Sequence, residues 1–133
     1  MTVGREAPLR YPRRVAGLHP SLGIAVIAVC GGAAFTGGYL YWRRRGAGPV
    51  ATHLLSLAQT LLVAQVAVGL LLLADDRRAA DQLHYAYGAM ALGVALAPWF
   101  YAPESGPRRL VWFAGTTAVA GALAVRAYMT GSA

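Results

Sequence analysis

The residues of this chain best placed to do chemistry are three histidines, His19, His53 and His84, each at the beginning of a long apolar stretch. Imidazole is a common metal ligand and the usual axial ligand of a b-type haem. Other constellations are sparse. Cys30 is the single cysteine and sits inside an apolar stretch. It has no partner for an intramolecular disulfide and reads as a small buried apolar group. The apolar stretches contain no Asp or Glu, which argues against the carboxylate-driven exchange of small proton-coupled exporters. There is no metal-spaced Cys/His cluster, nucleophile elbow or phosphate-binding loop. Gln59 and Gln65 could touch a quinone, but hydrogen bonding between helices is the simpler use of an amide in an apolar setting.

The elements that must position these histidines follow from composition. Of 133 residues, 57% are hydrophobic and 13% charged, a balance too apolar for a water-soluble domain of this size. The charges cluster at Arg43–Arg45, Asp75–Arg78 and Arg108–Arg109, leaving long uncharged segments between them. About 20 apolar residues cross a hydrocarbon layer roughly 30 Å thick. Four spans are expected, at residues 21–42, 51–74, 83–101 and 110–130, behind a basic polar tail at residues 1–18. The tail lacks the layout of a secretory signal, because the apolar run starts late and is too long. Aromatics mark the span ends: Tyr39, Tyr41 and Trp42; Tyr85 and Tyr87; Trp99, Phe100 and Tyr101; Trp112 and Tyr128. Aromatic belts of this kind sit at membrane–water interfaces. Small residues at four-residue spacing, such as Ala33 and Gly37 or Ala114, Ala118 and Ala122, form ridges that let helices approach closely in lipid. On span two, His53, Ser56, Thr60, Ala64 and Ala67 share one face, expected to look into the bundle while the leucines meet lipid.

Short loops make neighbouring spans antiparallel, so the expected fold is an all-α integral membrane protein, a four-helix up-down-up-down bundle covering residues 19–133. Spans one and three are then parallel and diagonal, which brings His19 and His84 to one depth and puts His53 at the opposite end. Two imidazoles at one depth on facing helices are what a bis-histidine haem iron requires. His84 shares a stripe with Gly88, Ala91 and Ala95; His19 shares one with Gly23, Val26, Cys30, Ala33 and Gly37. Such stripes leave room for a flat macrocycle or serve tight packing. Arg126, Arg77 and Arg78 lie near that level and could pair with haem propionates. A purely structural reading stands beside this one, since a histidine at a span entrance sits cheaply among headgroups. The net charge of +7, all from arginine, falls at span ends rather than on a nucleic-acid face. The side holding both termini and the loop at residues 75–81 has seven arginines against five on the other. By the positive-inside rule this favours cytoplasmic termini in a bacterial plasma membrane.

Through His19–Pro20, His53 and His84 with Gly88, residues 18–131 resemble small bacterial four-helix membrane proteins grouped loosely with the cytochrome b561 and ferric-reductase-like bundles. The resemblance implies haem b and electron transfer. Two-haem members of such families carry four ligating histidines; this chain has three, which allows one haem, with His19 and His84 as iron ligands, or none. Two functions are therefore expected in order. The first is a small non-catalytic accessory subunit of a respiratory or photosynthetic membrane complex, working through contacts with lipid, other subunits or copies of itself. The second is a b-type cytochrome passing electrons to or from a quinone or a partner.

Overall fold

The computed structural model describes residues 13–131. Most of the expected tail lies outside that range. From Arg13 onward the chain is helical, so the first helix begins before the expected boundary at residue 19. The described elements are α1 (Arg13–Trp42), α2 (Gly48–Ala74), α3 (Leu83–Leu96), the one-turn α4 (Pro98–Tyr101) and α5 (Pro107–Gly131), with no strand among them. Helices α1, α2 and α5 are each long and apolar enough to cross a membrane.

Two prolines correct the expected boundaries. Pro20 does not open a helix; it lies inside α1. It removes one backbone bond, and beside it the Ser21 hydroxyl donates to the Gly17 carbonyl at 3.1 Å. Pro98 divides the stretch 83–101, expected as one span, into α3 and α4. Helical dihedrals persist through Ala97 (φ −54°, ψ −37°), but Pro98 has no N–H and its ring crowds the carbonyl four residues back. The 14 residues of α3 reach about 21 Å at 1.5 Å per residue. Gln59 of α2 bridges this interruption: its Nε2 donates to the Ala95 carbonyl at 2.8 Å and its Oε1 accepts from the Trp99 indole at 2.9 Å.

The helix ends explain the loops. At the end of α1, Arg44 takes φ 54°, and Arg45 N–H reaches back to the Leu40 carbonyl at 2.9 Å. At the end of α2, Asp76 takes φ 59°, and Arg77 N–H bonds the Leu72 carbonyl at 3.0 Å. Both are six-to-one closures with a left-handed residue, the position that glycine usually fills.

Helix α5 packs on both α1 and α3, α1 also packs on α2, and α2 touches α3 and α5 more lightly. Helices α1 and α3 share no close backbone approach, which puts them on one diagonal of the four. The core is built of small side chains: Val26, Cys30 and Ala33 from α1, Ala91 and Ala95 from α3, with Leu55, Ala58 and Leu62 from α2. The α1–α5 seam is especially close. A Cβ on Gly37 would stand 2.9 Å from that of Ala114, and one on Gly121 would stand 3.0 Å from that of Cys30. The α1 stripe expected from the sequence is therefore buried, and tight packing fills it. The expected polar face of α2 is not: His53, Ser56, Thr60 and Ala67 are exposed. Thr60 donates to the Ser56 carbonyl at 2.9 Å. A hydroxyl satisfied by its own helix has no need of a bundle partner, so Ala51, Leu55, Ala58 and Leu62 turn inward instead.

Candidate functional site

Of the three histidines, His19 and His84 meet. Their ring centres are 5.8 Å apart and their planes 72° apart, although α1 and α3 make no backbone contact. The side chains cross the diagonal because the neighbouring helices present almost no side-chain bulk there. A Cβ on Gly69 of α2 would stand 3.1 Å from His19 Cε1, and one on Gly131 of α5 would stand 2.6 Å from His84 Nδ1. Glycine is what admits a ring against a helix backbone at such a distance.

Each ring is held differently. His84 Nδ1 lies 2.7 Å from the Ala127 carbonyl, a contact in which Nδ1 donates; in a neutral ring Nε2 then keeps its lone pair. The edge of the Tyr85 ring also packs on His84, centroid to centroid 5.6 Å, and the Tyr85 hydroxyl accepts from Ala79 N–H at 2.8 Å. His19 is fixed through its backbone. Gln65 of α2 donates to its carbonyl at 2.9 Å, and Gly23 is the point where that amide closes on α1. His19 Nδ1 and Gln65 Oε1 are buried without a hydrogen-bond partner among the described residues. A buried polar atom left so costs about 1–3 kcal/mol.

A metal between two imidazole nitrogens, at about 2 Å from each, sets the ring centres roughly 6 Å apart. The observed separation matches that arrangement in distance. No group of three or more His, Cys, Asp or Glu side chains gathers among the described residues. An ion held here would have two protein donors and would need its remaining ligands from elsewhere. A macrocycle supplies four of its own, so the donor set fits an axially ligated haem better than a bare zinc ion. The space beside the pair is unequal. The α1 stripe is filled by α5, whereas Gly88, one turn beyond His84, has nothing within 4 Å of where a Cβ would stand.

The arginines expected around the pair are elsewhere. Arg126 is exposed, with its guanidinium 5.7 Å from the Tyr87 ring centre. Arg77 pairs with Asp75 at 3.4 Å, and Arg78 is exposed. His53 sits at the start of α2 and bonds the Pro49 carbonyl of its own helix. Gln65, Gly69, Ala127 and Gly131 belong to the site and were not singled out for it from the sequence. The count from His19 and His84 to the far ends of α2 and α5 gives their depth, but the rotation that turns them inward is not written in any one helix. No protein-family model, curated protein or solved structure matches the chain.

Proposed function

We infer that this chain is a small integral membrane protein, an up-down-up-down bundle with cytoplasmic termini in a bacterial plasma membrane, whose working element is the His19–His84 pair. The reading that the geometry supports best is a b-type cytochrome, ranked above the accessory subunit on one observation: two imidazoles from helices with no close backbone approach meet with their ring centres 5.8 Å apart, the spacing that two imidazoles on one metal would have. In this reading His19 and His84 would hold the haem iron. The Ala127 carbonyl holds His84 in the tautomer whose Nε2 can bind iron, as carbonyls do for metal-bound histidines elsewhere. Gly69 and Gly131 seat the two rings, and Gln65 holds the α1 backbone at the level of the pair. Bound haem would supply one-electron exchange with a quinone or a partner protein.

The test is a dithionite-reduced minus oxidised spectrum of the full chain, purified with haem supplied during expression. A reduced α-band that His84→Ala abolishes and His53→Ala preserves is the expected result. A featureless spectrum from well-folded protein would remove the cytochrome reading.

The accessory-subunit reading has its own support. Each imidazole is seated on a glycine of a neighbouring helix, which is also how a ring serves purely as a packing group. In that case His84→Ala weakens the bundle without any spectral change, and gentle detergent extraction brings down a second membrane protein with this one.

A further inference from the structure

A cavity of about 1060 Å³ lies at the end of the bundle opposite the histidines. It exists because α3 stops at Leu96 and the fourth corner at this end is completed only by α4. Its wall carries Arg44, Arg45 and Arg109 and no carboxylate, together with Trp42, Trp99 and Phe113. Like charges gathered in one cleft repel one another and raise the local concentration of anions.

Arg109 is the best held of the three. Its guanidinium lies 4.9 Å from the Phe113 ring centre and 5.7 Å from that of Trp99. Trp99 and Phe113 pack edge to face at 5.3 Å, and Gln59 holds the Trp99 indole. One N–H of Arg109 donates to the Pro103 carbonyl at 3.1 Å. A guanidinium has five donors in a planar fork, so most of the fork is left for something else. Stacked guanidinium groups with free donors are preorganised for phosphate and carboxylate oxygens. The wall also carries apolar side chains, Leu55, Leu110 and Phe113. The volume is at the upper end of small-ligand sites, large enough for a headgroup and the first part of a hydrocarbon chain.

We propose that this cavity binds an anionic phospholipid, with the phosphodiester on Arg44, Arg45 and Arg109 and an acyl chain along Leu55 and Leu110. The proposal rests on the membrane reading but not on the histidine pair. Basic pockets between membrane helices select anionic headgroups in this way.

The test uses the full chain in neutral detergent, titrated with dioleoylphosphatidylglycerol, dioleoylphosphatidylcholine or inorganic phosphate, with thermal stability and native-mass lipid retention as readouts. The expected result is saturable stabilisation by phosphatidylglycerol alone. Arg109→Gln and the double variant Arg44→Gln/Arg45→Gln should each weaken the apparent Kd at least fivefold. Arg43→Gln and Arg108→Gln, neighbours in sequence that do not line the cavity, should stay within twofold. If Arg109→Gln lowers helicity, the double variant on the exposed loop decides. Equal response to phosphatidylcholine, equal loss in the two control variants, or phosphate matching the lipid would each overturn the proposal, the last by making the site one for a soluble anion. A chain released from membranes by carbonate washing would instead refute the membrane reading. One that stays in the membrane without preferring phosphatidylglycerol refutes the lipid site alone.

Discussion

Glycines in this bundle differ in what surrounds them, as two neighbouring positions show. Gly37 faces Ala114 across the α1–α5 seam, while Gly38 has nothing within 4 Å of where a Cβ would stand. Gly37→Ala should lower stability by about 1–3 kcal/mol through overpacking. Gly38→Ala should be neutral or stabilising by up to about 1 kcal/mol, since alanine is the better helix former. Thermal unfolding of the two variants in the same detergent checks both. The histidine pair was legible at this scale because depth in an antiparallel bundle follows from counting residues. What seats the rings was not, because Gly69, Gly131 and the Ala127 carbonyl are recruited by helix rotation. Arg126, expected beside the pair, is exposed, with its guanidinium 5.7 Å from the Tyr87 ring centre.

At the scale of the element, the third stretch teaches most. Its composition and its aromatic ends read as a single span, and Pro98 was in plain view within it. What composition could not convey is that the Ala95 carbonyl, just before the interruption, takes a partner from another helix. Gln59→Ala removes both bonds across the interruption. The expected cost is about 1 kcal/mol, the usual scale for side-chain hydrogen bonds between membrane helices, with a shift of Trp99 emission as the indole N–H loses its acceptor. The α2 terminus offers the opposite change. Asp76 holds φ 59°, a left-handed conformation that disfavours any side chain. Asp76→Gly should stabilise the protein by up to about 1 kcal/mol, measured by the same unfolding transition. The α2 face expected to look inward, at His53, Ser56 and Thr60, is exposed instead, and the Thr60 hydroxyl is satisfied by the Ser56 carbonyl of its own helix.

For the whole molecule, the proposed topology puts the loop at residues 43–47 and the loop at residues 75–82 on opposite sides of the membrane. In a Cys30→Ala background, Arg45→Cys and Arg78→Cys should label with a membrane-impermeant maleimide from opposite faces of oriented vesicles. Labelling of both from one face would dismiss that topology. The packing order has a consequence for how the chain is made. The element that covers both α1 and α3 is α5, which is synthesised after both of them. Until residue 107 and those after it are synthesised, Gly37 and Cys30 lack Ala114 and Gly121, and His84 lacks the Ala127 carbonyl. Closure is therefore a long-range event that joins the first helix to the last, a slow kind of contact to form. The vulnerable species in the cell is the nascent chain that still lacks α5, and its lifetime is set by translation and insertion of that helix.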